Sequence, residues 1–113
     1  MAALKIYYID DEPDLLELFV DTFSSAEREI MVFLDPFAAV AEAKKNPPDL
    51  LFIDYRLPGI TGDIVAAMLD PAIPKALISG EVSLDTKHNF DAFFPKPYKK
   101  SDIEDFIQKH VKK

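Results

Sequence analysis

The stretch that most constrains this chain is Leu50-Leu51-Phe52-Ile53-Asp54. Four consecutive apolar residues read as a buried strand, and the run ends on a carboxylate. Tyr55-Arg56-Leu57-Pro58-Gly59 follows and is expected as a loop, because Pro58 and Gly59 punctuate it. In an open parallel sheet, ligands bind at the carboxyl ends of the strands. Asp54 would then sit at a rim where an acid can do chemistry. Taken alone, the motif also suits an aspartate that merely begins a turn. The other strand ends decide between the two.

Leu4-Lys5-Ile6-Tyr7-Tyr8-Ile9 is rich in β-branched and aromatic residues and reads as a first strand ending on Asp10-Asp11-Glu12. Pro13 can open a helix, and Leu16, Phe19, Val20 and Phe23 follow at helical spacing to near Ser25. Glu29 to Leu34 is a second strand. Asp35 then serves as an N-cap with Pro36 at the first helical position, in a helix marked by Phe37, Val40, Ala41 and Lys44. After the third strand a helix begins at Thr61 or Gly62, carries Ile64, Val65 and Met68, and stops at Asp70-Pro71. Lys75 to Ile78 is the fourth strand, ending on Ser79-Gly80, and Phe90 to Phe94 is the fifth. Between them Glu81 to Asn89 offers only Val82 and Leu84 as apolar residues, so a short or irregular fourth helix is expected there. The last helix opens on Ser101-Asp102-Ile103-Glu104, a capping-box pattern, with Ile103, Phe106, Ile107 and Val111 on one face. Strand and helix alternate throughout with short connections. This favours an α/β fold, a parallel sheet covered by helices on both faces.

At 113 residues the chain suits one domain with a single core. No linker to a second domain is visible, so residues 1–113 are expected to form one unit with no output domain. With 49% apolar and 29% charged residues it has the balance of a globular protein. Its net charge of -7 argues against nonspecific binding to nucleic acid or anionic membrane, which require a basic surface. Cysteine is absent, which excludes disulfides and thiolate metal sites and is compatible with the cytoplasm. No apolar run approaches the length that crosses a bilayer.

The strand ends together carry Asp10 and Asp11, Asp54, Ser79 and Lys96. A doubly wound sheet brings these to one edge. Carboxylates at about 4 Å, with an effective dielectric near 20, repel by about 4 kcal/mol per pair. They stay ionised together only beside a cation, and oxygen ligands suit a hard one such as Mg²⁺. Lys96 adds a compact positive charge and Ser79 a hydroxyl, groups that favour a phosphoryl beside the metal.

These residues give the chain a resemblance to the receiver domain of two-component response regulators. Ile9-Asp10-Asp11-Glu12, Asp54 with Pro58 and Gly62 downstream, Ile78-Ser79-Gly80 and Phe94-Pro95-Lys96-Pro97 match that family's motifs in order, over essentially the whole chain. The resemblance implies a flavodoxin-like, single doubly wound domain with a five-stranded parallel sheet in the order 2-1-3-4-5. It implies that Asp54 accepts a phosphoryl group from a histidine kinase, a histidine phosphotransfer protein or a small phosphodonor. Asp11 would ligate Mg²⁺ directly, Asp10 through water, and Asp54 and the backbone carbonyl of Arg56 would complete the set. Lys96 would pair with the phosphoryl group, Ser79 would move to hydrogen-bond it, and Phe93 would follow Ser79 inward as the aromatic switch. The Lys96–Pro97 bond is expected to be cis. The implied role is a stand-alone receiver in a phosphorelay, cytoplasmic, with an unknown downstream protein as partner and with no enzyme activity beyond its own aspartyl phosphorylation and dephosphorylation.

The stretches from Asp54 to Ser79 and from Ser79 to Lys96 are shorter than is usual in the family. Phe93 stands where Tyr is common; the alternative is a core aromatic without a signalling role. Arg56 and Glu81 fall at positions that border the site, and an ion pair across its mouth competes with two separate solvated charges. His88 and His110 suggest neither a phosphohistidine nor a metal ligand. Two other readings remain. One is a pseudo-receiver that serves as a protein interaction module without being phosphorylated, against which the intact Asp10, Asp11, Asp54 and Lys96 argue. The other is an aspartate-nucleophile phosphatase, which would require an acid where Arg56 stands. A flavodoxin-like cofactor binder is disfavoured, because Asp10-Asp11-Glu12 would repel a phosphate and no Gly-rich loop exists.

Overall fold

The computed structural model describes residues 3–80 and 90–111. Three strands are apolar at odd and even positions alike: β1 (Leu4–Ile9), β3 (Leu50–Asp54) and β6 (Lys75–Ser79). Such strands need cover on both faces, and they form the middle of a five-stranded parallel sheet. On one flank lies β2 (Arg28–Phe33), and on the other β7 (Ala92–Pro95). The short strands β4 (Arg56–Leu57) and β5 (Ile60–Thr61) stand apart, so the sheet order is β2-β1-β3-β6-β7, the 2-1-3-4-5 order of the five main strands.

Helices α1 (Pro13–Phe23), α2 (Pro36–Lys45), α3 (Gly62–Ala67) and α4 (Lys100–Lys109) supply the cover. Side chains alternate across a strand. Ile6, Tyr8, Leu50, Phe52, Ala76 and Ile78 therefore pack with Leu16, Phe19 and Phe23 of α1 and Ile103, Phe106 and Ile107 of α4. The intervening Tyr7, Ile9, Leu51, Ile53 and Leu77 pack with Ala39, Val40 and Ala43 of α2 and Val65 of α3. Polar pins brace the amino-terminal ends of the strands. The Lys5 amide donates to Asp49 Oδ2 at 2.9 Å, and the Tyr7 hydroxyl donates to the Asn46 carbonyl. The buried Lys75 ammonium donates to the Asp70 and Ile73 carbonyls at 2.8 and 2.9 Å. The carboxyl ends are left for other work.

Several local expectations are corrected. The stretch after Asp54 is a small antiparallel hairpin, with Arg56 opposite Thr61 and Leu57 opposite Ile60. Gly59 takes the turn with φ 74°, which glycine adopts without strain, and burial of Leu57 holds the hairpin down. The last helix starts at Lys100, with Lys99 as N-cap and no side-chain cap, so the capping box does not form. Glu104 turns away to a two-pronged ion pair with Arg28, which outweighs a cap because the guanidinium fork fits a carboxylate. Helix α1 ends at Phe23 and β7 begins only at Ala92. In α3, Val65 is buried while Ile64 is exposed, as is the C-cap Met68, since so short a helix turns only one narrow stripe inward; Leu69 and Ile73 beyond its end fill the core instead. Glu81 to Asn89, the expected fourth helix, lies outside the described residues. Among the described residues no helix is long and apolar enough to cross a membrane.

Candidate functional site

Parallel register sets the ends of four strands, β1, β3, β6 and β7, side by side. Ile9 pairs with Ile53, Asp54 with Ile78, and Ile78 with Phe94, so Asp10, Asp54 and Lys96 emerge together at the carboxyl edge. Asp10 follows β1 and is fully buried; Asp54 closes β3 at 6% exposure. The Lys96 ammonium lies between them, 3.1 Å from Asp10 Oδ2 and 3.2 Å from Asp54 Oδ1. It also approaches Glu12 Oε1 at 3.9 Å. Backbone bonds fix this geometry: the Lys96 amide donates to the Ser79 carbonyl at 2.9 Å, and the Asp10 amide to the Phe33 carbonyl at 3.1 Å. The Lys96–Pro97 peptide is cis.

The charges respond to this crowding. Burial, and then the negative charge of Asp10, raise the Asp54 carboxyl from 3.8 to about 6, although Lys96 pulls the other way. For Lys96, burial alone would lower the ammonium. Its hydrogen bond and attraction to Asp10, followed by Asp54, outweigh that, and its pKa is raised. Burial and the Asp10 charge also raise the nearby Tyr98 phenol.

Carboxylate oxygens of Asp10, Asp11 and Glu12 lie within 4.8 Å of one another. An all-oxygen, anionic donor set of this kind fits a hard divalent cation such as Mg²⁺. Asp54 joins this group through the Lys96 ammonium, which it shares with Asp10. Glu12 was not among the ligands expected from the sequence.

The remaining residues take distinct places. Ser79 is buried at the end of β6. Phe93 is 58% exposed and packs edge-on against Phe90, with ring centroids 5.8 Å apart, so it is not a core aromatic in this conformation. Arg56 is exposed in the hairpin beside the site, its guanidinium 5.9 Å above the Tyr55 ring. Glu81, and with it the expected Arg56–Glu81 pair, lies outside the described residues, as does His88. His110, at the end of α4, packs its ring at a tilt against Phe106, with Nδ1 2.9 Å from the Phe106 carbonyl oxygen.

Two participants escaped sequence reasoning. The Tyr8 hydroxyl donates to Asp10 Oδ2 at 2.6 Å. Tyr8 and Asp10 share a strand face by their spacing of two, and a buried phenol needs a polar partner, so the signal was present. Gly62 is the other. A Cβ there would stand 2.3 Å from the Asp54 carbonyl oxygen, and its amide donates to the Tyr55 carbonyl at 2.6 Å. Only glycine lets α3 start against the backbone that carries Asp54.

Known proteins resemble this chain in sequence family and in fold. The model of the response regulator receiver domain family matches residues 6–113. The DNA-binding response regulator MtrA of Mycolicibacterium smegmatis is 26% identical over 106 residues, covering 88% of this chain but 46% of that protein. The chain thus spans about half the length of that curated relative. Among solved structures, the signal receiver domain of an HD domain-containing protein from Pseudomonas fluorescens Pf-5 superposes with a TM-score of 0.87 at 15% identity, covering 96% of this chain and 94% of the other. The CheY-like receiver domain protein of Methanospirillum hungatei JF-1 gives 0.86 at 21% identity, covering 96% and 93%. The chemotaxis protein CheY4 of Vibrio cholerae gives 0.81 at 21%, covering 97% and 100%. At these identities the structural likenesses speak for the fold.

Proposed function

The chain belongs to the response regulator receiver domain family, a family of signalling modules and not of classical enzymes, and from this we propose that Asp54 is its phosphoacceptor. The donor is a phosphohistidine on a histidine kinase or a histidine phosphotransfer protein, or a small phosphodonor. The place of action is the cytoplasm, and the output is altered binding to a downstream protein. Lys96 supports this reading most directly, because one ammonium bridges Asp10 and Asp54 at neighbouring strand ends.

In the transfer, an oxygen of the Asp54 carboxylate forms the new bond to phosphorus. The bond from phosphorus to the donor imidazole breaks, and its electron pair stays on the ring nitrogen. With a pKa of about 6, Asp54 is ionised and able to attack at neutral pH. Lys96, already 3.2 Å from Asp54 Oδ1, needs only a small displacement to pair with the phosphoryl oxygens. The Ser79 hydroxyl donates to one of them. Asp10, Asp11 and Asp54, with the Arg56 carbonyl, would hold Mg²⁺, and Glu12 adds a carboxylate to that set. When bound, the ion neutralises the acidic cluster and the incoming phosphoryl oxygens. Phe93, now exposed, would turn inward as Ser79 moves, and Arg56 with Glu81 would border the path of the hydrolytic water.

The test is transfer of radiolabelled phosphate from autophosphorylated histidine kinases, with Mg²⁺ or with a chelator. Label should appear on the chain only with Mg²⁺, and it should be labile to base, as an acyl phosphate is. No label from a broad set of kinases, or a base-stable label, would overturn the proposal and favour a pseudo-receiver.

A further inference from the structure

We propose that Tyr8 is a positioning residue of the acidic site, whose hydroxyl fixes the orientation of Asp10 so that one defined carboxylate oxygen stays available to a hard divalent cation. A carboxylate offers about four lone-pair positions. In Asp10, Oδ2 accepts from the Tyr8 hydroxyl at 2.6 Å and from the Lys96 ammonium at 3.1 Å, while Oδ1 accepts from the Glu12 amide at 3.0 Å. With Lys96 in place both positions of Oδ2 are therefore taken, and the position open to a cation lies on Oδ1.

The tyrosine itself cannot drift. Tyr8 is fully buried, and its ring lies 4.6 Å from that of Phe19, which in turn contacts Phe23 at 4.7 Å and Phe52 at 5.3 Å. This aromatic stack beneath α1 holds the hydroxyl at a fixed height under the strand end. The chemistry of the donor also matters. An ordinary phenol is neutral at physiological pH and donates its single proton, here to Asp10. A second ammonium would hold Asp10 equally well but would repel a divalent cation. A phenol holds the acid without that repulsion. On the reading proposed above, Lys96 turns toward the phosphoryl group on Asp54, and Tyr8 and the Glu12 amide then keep Asp10 in place.

This inference rests on the receiver reading of the site, and the test separates the two. Mg²⁺ is titrated calorimetrically into the parent, Tyr8→Phe and Tyr7→Phe, and each is also unfolded in urea without metal. Tyr7→Phe is the control: it deletes a buried hydroxyl from the neighbouring position, one that donates to Asn46 at the opposite end of the strand. Loss of an outer-shell partner typically weakens metal binding by about tenfold or more. The dissociation constant should rise by about tenfold in Tyr8→Phe and stay within about twofold of the parent in Tyr7→Phe. If Tyr8→Phe lowers the urea midpoint but binds Mg²⁺ as the parent does, Tyr8 is a core residue only. If both variants weaken equally, the effect belongs to the strand and not to Asp10. If the parent itself binds no Mg²⁺, the metal reading of the site falls, and this inference falls with it.

Discussion

Replacing Asp54 by Asn should make the metal-free protein more stable at neutral pH, although it deletes the group proposed to do the chemistry. Burial and the charge of Asp10 lift the Asp54 carboxyl from 3.8 to about 6. Because the folded value lies above the unfolded one, the native state binds the proton more tightly. The stabilising effect of protonation is complete below the unfolded value and is lost as pH rises through the folded value. At 1.36 kcal/mol per unit, a displacement of about two units means that ionised Asp54 costs about 3 kcal/mol above pH 6. Asn keeps the shape and removes the charge. Urea denaturation in chelator at about pH 7.5 should show the variant about 3 kcal/mol more stable, and at about pH 4.5 the gap should shrink to about 1 kcal/mol. A variant no more stable than the parent at neutral pH, or a gap that ignores pH, would refute this account of the site's electrostatics.

Mg²⁺ should relieve the same repulsion: at one hundred times its dissociation constant it should stabilise the parent by about 2.7 kcal/mol. Asp11→Asn should remove most of that gain, and an unchanged parent midpoint would count against a cation site. Lys96→Met strands Asp10 and Asp54 without their shared cation, and should cost about 3 kcal/mol at neutral pH. Most of that loss should be recovered in acid, as Asp54 takes up a proton; a loss that persists there would point to packing rather than charge. Gly62→Ala forces a methyl group to 2.3 Å from the Asp54 carbonyl oxygen. It should cost on the order of 2 kcal/mol and slow phosphoryl uptake, whereas parental stability and uptake would mean that this backbone yields freely.

The sheet was legible because its signals are local and redundant. Leu50 to Ile53 has no polar alternation, and every strand run ends at or just before Pro, Gly or Asp. The site acids were legible for a related reason: in a parallel sheet, strand ends meet, so Asp10, Asp54 and Lys96 could be brought together from their order alone. The missed features depend on contacts that the pattern does not encode. Pro58-Gly59 marks a turn, but whether Arg56-Leu57 pairs with Ile60-Thr61 depends on burial of Leu57. Ser101 and Glu104 spell a capping box, yet Glu104 finds Arg28, which is 76 positions away. Tyr8 read as one more strand aromatic because its ring is in the core; only its hydroxyl reaches the acid. The exposed Ile64 and Met68 likewise follow from the shortness of α3, which periodicity alone did not fix.

Intact mass after incubation with Mg²⁺ and a small acyl phosphate, in the parent and in Asp54→Asn, tests the central claim most directly. The account expects a single phosphoryl adduct on the parent and none on the variant, which the urea experiment would show to be folded. An adduct of equal yield on both would place the phosphoryl elsewhere and remove Asp54 from the chemistry.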